Sequence, residues 1–144
     1  MRISDRKFMV GVKALITNSK GEVLVLRAVP HRPSQKFKPY WDLPGGKMNN
    51  DDIRGTLFRE VEEETGIGGF SIGNLIGVTV SNIKLNDGKN GLLYVVYGCR
   101  LGSDSRIILS KEHSEYRWVN RNEAMAMLQD IFPRDFLERI GNDF

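Results

Sequence analysis

The chain has 144 residues, of which 40% are hydrophobic and 27% are charged, and its net charge is +3. This length and composition suit one domain spanning residues 1–144, and the small net charge gives no argument for a nucleic-acid surface. The single cysteine, Cys99, excludes an internal disulfide framework, and no apolar run approaches the ~20 residues of a membrane span. We therefore expect a protein of a reducing compartment, with a cytoplasmic location.

The N-terminal half predicts two strands, a long loop and a helix. The segment KFMVGVKALIT (7–17) alternates in polarity, and EVLVLRA (22–28) follows across the turn NSKG, which predicts a hairpin. Residues 29–52 are predicted to form a loop, because they are rich in proline and basic residues and contain a Pro-Gly-Gly sequence. Asp52 is a suitable N-cap for a helix from about residue 53 to residue 65.

The C-terminal half predicts further strands and two helices. Four segments have the apolar and β-branched residues of strands: 70–85, 91–101, 106–109 and 115–119. Residues 120–130 have helical apolar spacing after an asparagine, and Pro133 begins a last helix that ends at Gly141. Strands outnumber helices and the first helix lies in mid-chain, so the pattern favours an α/β (α+β) fold in which helices pack on the faces of a mixed sheet.

The octet REVEEETG, residues 59–66, concentrates negative charge in a basic chain. Its net charge is −3, so the rest of the chain carries +6. On a helix with 100° per residue, Glu60, Glu63 and Glu64 fall within about 100° of one another, whereas Glu62 points to the far side. A solvated acidic surface is the ordinary explanation of such a cluster. Two observations oppose it, because like charges at these spacings repel and the helix dipole disfavours anions in the last turns.

A divalent cation would relieve this repulsion. Mg²⁺ takes oxygen ligands and is commonly held by a few carboxylates together with substrate phosphates. Arg59 would brace one of the glutamates through bidentate hydrogen bonds. The spacing alone leaves the metal site and the solvated surface as equal alternatives.

The wider sequence context favours the metal site. The series Gly45, Asp51, REVEEETG (59–66) and Ile67 resembles the Nudix box, G-x5-E-x7-R-E-U-x-E-E-x-G-U, where U is a bulky aliphatic residue. Its second half matches without exception, and the preceding YWDLPGG is similar to the usual family lead-in. There are two departures. Asp51 stands where the family has glutamate, and the count begins at the first glycine of the pair, which indicates a loop one residue shorter than usual.

The resemblance implies a Nudix-type α/β/α sandwich and an enzyme that hydrolyses a nucleoside diphosphate linked to another moiety. It implies Mg²⁺, for which Mn²⁺ may substitute, held by Glu60, Glu63, Glu64 and the carbonyl of Gly45. One of these glutamates would accept the proton from water. Glu112, six residues before Trp118, is a second candidate for this role, although it could equally be an ordinary loop glutamate, and Glu115 competes with it.

Several residues before the box are candidates for binding the substrate. Arg27, Arg32 and Lys38 would meet phosphates, as would Lys36, and Trp41 would stack a base together with Tyr40 and Phe37. The alternatives are a solvated basic loop and aromatic residues that pack in the core. His31 and His113 are interpreted as surface residues, and Cys99 is interpreted as an inert core residue.

Subfamily marks downstream of the box are mostly negative. Positions 82 and 83 are Asn and Ile, where ADP-ribose pyrophosphatases usually carry a proline and dinucleoside polyphosphate hydrolases a tyrosine nearby. The remaining expectation is a small MutT-like enzyme, a monomer or homodimer without a DNA-binding domain, that converts a (d)NTP or oxidised (d)NTP to NMP and pyrophosphate. Other nucleotide conjugates and a non-catalytic nucleotide-sensing module are the alternatives.

Overall fold

The structure, a computed structural model, describes residues 6–49, 52–83, 85, 89–103 and 106–141. Asp51, one of the two departures from the box pattern, lies outside the described residues. Within them, the chain forms seven strands, three α-helices and one 3-10 helix: β1 (Phe8–Thr17), β2 (Val23–Ala28), β3 (Tyr40–Asp42), β4 (Gly45–Lys47), α1 (Ile53–Thr65), β5 (Ser71–Val80), β6 (Gly91–Arg100), β7 (His113–Val119), α2 (Arg121–Met127), the 3-10 helix (Leu128–Asp130) and α3 (Arg134–Ile140).

The strands form a mixed sheet with the order β3-β2-β1-β6-β5, which agrees with the predicted fold class. β1 and β6 pair in parallel over ten residues, and the other pairs are antiparallel. β1 and β2 are in register where Thr17 lies opposite Val23. Farther along, β1 takes β4 as its neighbour, whereas β2 takes β3 and β7. β1 and β2 therefore separate beyond this point, where β4 pairs with β1 and β3 pairs with β2.

Two hydrophobic cores cover the two faces of the sheet. One contains Leu57 and Val61 of α1, which are fully buried against β1 and β2. The other contains Phe132 and Phe136, whose rings stack with a centroid separation of 5.8 Å, beside the C-terminal helices. Helices therefore pack on both faces, as the sequence pattern predicts. Within the described part of the chain, none of these helices has the length and apolarity needed to cross a bilayer.

α1 begins and ends as its sequence predicts. The carboxylate of Asp52 accepts a hydrogen bond from the Gly55 N–H at 2.6 Å, which satisfies a donor of the first turn. Gly66 has φ 77° in the left-handed region, where glycine is unstrained, and its N–H donates to the Glu62 carbonyl. These two caps fix the length and the rotation of the helix that carries the glutamates.

Three predictions of secondary structure are wrong. Residues 40–42 and 45–47 are strands rather than loop, because remote strands supply their hydrogen-bond partners. Residues 106–109 form no strand. The Ile108 N–H donates a hydrogen bond to the Thr65 carbonyl, so this segment is bound to the C-terminal end of α1. The strand predicted over residues 70–85 ends at Val80.

Candidate active site

Glu64 is the buried carboxylate at the centre of the site. Only 5% of the residue is exposed, and its Oε1 accepts a hydrogen bond of 2.7 Å from the Gly45 N–H. Burial raises the pKa of Glu64 to about 8; Lys13 and the Gly45 N–H oppose this shift, and Asp42 adds to it. A buried carboxylate needs compensating positive charge to remain ionised at neutral pH. The residue therefore has the chemistry expected of a cation ligand.

A buried ion pair lies beside Glu64. The Lys13 Nζ atom is 2.8 Å from Asp42 Oδ2, and both side chains are 7% exposed. Burial by itself would lower the pKa of Lys13, but the charge of Asp42, with smaller contributions from Tyr94 and Glu64, raises it above the ordinary range. Lys13 is thus a permanent positive charge in the wall of the site.

Gly45 and Gly46, in β4, determine how closely α1 approaches the sheet. Gly45 has φ 148°, and a Cβ atom there would overlap the Val12 carbonyl. A Cβ atom on Gly46 would overlap the carboxyl group of Glu60. Because neither glycine has a side chain, the carboxyl groups of Glu60 and Glu64 can approach the backbone of β4.

Glu60 is half-buried against this strand. Its Oε1 lies 3.4 Å from Arg59 Nη2, and the bidentate pairing of Arg59 with a glutamate stays a prediction. Burial raises the pKa of Glu60, Arg59 opposes the shift, and the negative charges of Glu63 and Glu112 add to it. The carboxylates thus act on one another electrostatically across the site.

The glutamates of α1 differ in exposure. Glu64 is buried, Glu60 is half-buried, and Glu63 and Glu62 are exposed. Glu63 borders a shallow depression with Phe58 and Arg59, outside the main cavity. The helix therefore holds its glutamates at graded depths, and the assignment of Glu60, Glu63 and Glu64 as metal ligands stays a prediction.

Glu112 and His113 approach Glu64 from the start of β7. One ligand atom from each of these three residues lies within 4.8 Å of the others. The Glu112 carbonyl also accepts a hydrogen bond from the Val29 N–H, which ties this turn to the end of β2. Glu115, the competing candidate, pairs instead with Arg117 at 2.8 Å on the exposed strand. Between the two candidates, the geometry therefore favours Glu112.

The interpretation of His113 as a surface residue is wrong. His113 is 8% exposed, and its Nε2 lies 3.7 Å from Glu64 Oε2. Burial lowers the pKa of His113 and so favours the neutral imidazole, whereas the negative charges of Asp42 and Glu112 oppose this shift. His31 is half-buried and lines the same cavity. The sequence signal for His113 was its place next to Glu112, a candidate catalytic residue.

A cavity of about 340 Å³ is lined by Glu64, Glu112 and His113, whereas Glu60 and Glu63 are not among its lining residues. One part of its wall is charged and includes Lys13, Glu64 and Glu112. Another part is aromatic and includes Phe37 and Tyr40, whose ring centroids are 5.5 Å apart. The volume is at the lower end of those that hold small ligands.

The predicted substrate-binding residues are distributed around this cavity. Tyr40 lines it, but Arg27 and Trp41, which pair with each other, have the opposite strand parity and face the other side of the sheet. There two guanidinium groups lie near the Trp41 ring centroid, that of Arg27 at 5.4 Å and that of Arg117 at 5.1 Å. Arg32 and Lys38 are exposed residues of the segment between β2 and β3. The assignment of Arg27, Arg32, Lys38 and Trp41 to substrate binding stays a prediction.

Comparison with known proteins identifies the class. A family model for the NUDIX domain matches residues 7–140, and the chain belongs to this family. The solved structure of a MutT protein from Methanosarcina mazei Go1 is 34% identical, with a TM-score of 0.75, and covers 98% of each chain. The protein is therefore a Nudix hydrolase, an enzyme of the pyrophosphohydrolase type.

Two more distant structures share the fold. A C. elegans Ap4A hydrolase is 19% identical with a TM-score of 0.74 and covers 94% of this chain and 96% of that one. An E. coli dihydroneopterin triphosphate pyrophosphohydrolase is 16% identical with a TM-score of 0.69 and covers 96% of this chain and all of that one. These neighbours show the fold and leave the substrate of this enzyme open.

Proposed function

We propose that this enzyme hydrolyses a (d)NTP, or an oxidised (d)NTP, to the monophosphate and pyrophosphate with the aid of a divalent cation. The observation that carries the proposal is the buried carboxylate of Glu64, which lies beside Glu112 in a cavity that also has an aromatic wall. Carboxylates suit a cation that binds phosphates, and aromatic rings suit a nucleobase. The M. mazei relative is named a MutT protein, in agreement with the MutT-like class that the sequence resemblance implies.

The residues present fit a divalent cation. Burial raises the pKa of Glu64, so a nearby cation would stabilise its ionised form. Glu60, Glu63 and Glu64 would hold the cation with the Gly45 carbonyl, and Mg²⁺ is the ion that such an oxygen set suits best. When bound, the cation would neutralise phosphate charge and increase the acidity of water.

The protein groups around the carboxylates have positioning roles. The Gly45 N–H holds Oε1 of Glu64, and the absence of a side chain on Gly46 leaves room for Glu60. Arg59 contacts Glu60 and restrains its rotation. Because phosphoryl transfer depends mainly on positioning and electrostatics, these restraints would contribute directly to the rate.

Glu112 is suited to accept the proton of the attacking water. It is exposed, it lines the cavity, and it lies within reach of the buried cluster. The water oxygen would form a bond to phosphorus, the bridging P–O bond would break, pyrophosphate would leave, and the water proton would pass to the Glu112 carboxylate. Phe37 and Tyr40 would hold the base in the aromatic part of the cavity.

A substrate screen with matched glutamate variants tests this proposal. The purified protein would be supplied with canonical and oxidised NTPs, nucleotide sugars, ADP-ribose, diadenosine polyphosphates and 5′-triphosphate RNA, with Mg²⁺ or Mn²⁺, and the products resolved by ion-exchange chromatography. We expect NMP and pyrophosphate from a (d)NTP. Faster hydrolysis of another conjugate would make that conjugate the substrate in place of a (d)NTP. The absence of any hydrolysis would favour a nucleotide-sensing module.

The variants test the metal-site assignment separately. Glu63→Gln and Glu64→Gln should each lose at least ~100-fold in kcat, a loss of about 2.7 kcal/mol, without unfolding. Glu62→Gln is the matched control, because Glu62 is exposed on the same helix and should retain activity within about twofold. Near-full activity of both Glu63→Gln and Glu64→Gln would contradict the assignment.

A further inference from the structure

His113 is a buried imidazole whose nitrogens have no hydrogen-bond partner among the described residues. Its Nδ1 is inaccessible to solvent and unpaired. Its Nε2 is 3.7 Å from Glu64 Oε2, which is longer than a hydrogen bond. Of the two nitrogens, Nε2 is the one near Glu64, and no described residue accepts or donates a hydrogen bond at this atom, so Nε2 is available to a bound ligand.

The position of His113 indicates what that ligand is. Its ring faces Glu64 and lies next to Glu112, and the three ligand atoms are within 4.8 Å of one another. Ligands bound at roughly 2.1 Å on opposite sides of one ion are roughly 4.2 Å apart. The Glu64–His113 pair, at 3.7 Å, is already within this separation. The widest pair of the cluster exceeds it by up to ~0.6 Å, and the exposed side chain of Glu112 has to move by on the order of 1 Å to bring three ligand atoms around one ion.

We propose that Glu64, Glu112 and His113 form a mixed nitrogen and oxygen site that binds a first-row transition ion in preference to Mg²⁺. The inference rests on the proposed function and extends it, because the predicted ligands of α1 supply oxygen alone. Imidazole suits transition ions, whereas Mg²⁺ prefers oxygen ligands and retains its water. His113 would therefore determine which cation the enzyme prefers. Glu64 would belong both to this mixed ligand set and to the oxygen ligand set of α1.

Mn²⁺ added alone to the metal-free, full-length protein is a suitable probe. It is the weakest binder of the transition series, so its preference over Mg²⁺ gives a lower bound for the others. The chain has two histidines, so selective ¹⁵N-histidine labelling leaves only His31 and His113 to be distinguished. Pulsed electron paramagnetic resonance would then report a directly bound imidazole nitrogen without any measurement of activity.

We expect a histidine nitrogen coupling in the wild-type protein that changes on ¹⁵N-histidine labelling. His113→Gln should abolish it and reduce the affinity for Mn²⁺ at least ~10-fold, with a smaller change for Mg²⁺. His31→Gln and Glu62→Gln are the controls, and both should retain the coupling.

Bound Mn²⁺ without histidine coupling in the wild-type protein would overturn the inference and leave the proposed function intact. This result does not depend on whether a His113 variant folds. Coupling that persists in a folded His113→Gln variant would also overturn it. A protein that binds no divalent cation and hydrolyses no nucleotide would instead contradict the proposed function and the inference together.

Discussion

Gly46→Ala should inactivate the enzyme while leaving it folded. A Cβ atom built on Gly46 would lie 2.5 Å from Oε2 and 2.8 Å from Cγ of Glu60. Ordinary van der Waals contact begins near 3.4 Å, so the carboxyl group has to withdraw by about 1 Å. A misplacement of this size in a positioned group costs on the order of 100-fold in rate. The half-buried Glu60 can turn toward solvent, so the unfolding temperature should change little.

The measurement is the steady-state kcat/KM of Gly46→Ala for the best substrate of the screen, together with its thermal unfolding temperature. Gly69→Ala is the matched control, because a Cβ atom at Gly69 meets nothing within 4 Å and Gly69 is exposed. The control should retain activity within about twofold. If Gly46→Ala keeps kcat/KM within threefold of the wild type, the position of Glu60 does not limit the reaction and the reasoning fails.

Two further predictions concern the stability contributed by a buried ion pair and the reactivity of a buried thiol. Lys13→Met leaves Asp42 as an unpaired buried charge and should cost about 3–5 kcal/mol in unfolding free energy, roughly 10–15 °C in unfolding temperature for a chain of this size. Chemical denaturation checks this, and the double variant Lys13→Met/Asp42→Asn should be more stable than Lys13→Met alone; a loss below ~1 kcal/mol would contradict it. Burial raises the pKa of Cys99 to about 12, so the thiol stays protonated and native protein at pH 8 should react with iodoacetamide far more slowly than protein unfolded in urea. Equal alkylation rates would show that the thiol is accessible.

Local patterns in the sequence predicted α1 well. Its N-cap Asp52 and its C-terminal Gly66 act within one turn of the helix, so neither depends on the rest of the fold. The helical spacing also separates the exposed Glu62 from the buried Glu64. Features that a few neighbouring residues decide are therefore readable from the sequence.

Features that depend on remote partners were missed. Lys13 lies in the apolar strand β1, and its partner Asp42 is 29 residues away in the sequence. β4 resembled a loop because glycine has low strand propensity, and its pairing with β1 overrides that propensity. His113 is buried because β7 joins β2 and brings it opposite Ala28, beyond a bulge. No local pattern contains these pairings.

The central parallel pair of the sheet also constrains the order in which the chain folds. Each residue of β1 has its β6 partner 83 residues later in the chain, from Phe8 with Gly91 to Thr17 with Arg100. During synthesis from the N-terminus, β1 emerges long before its partner β6. Residues 12–16, which are buried in the folded protein, are then still exposed to solvent. A contact of such long range is slow to form, because the intervening chain loses conformational entropy before the strand pairing contributes any stabilisation. The nascent chain therefore carries an aggregation-prone strand until residue 100 has left the ribosome.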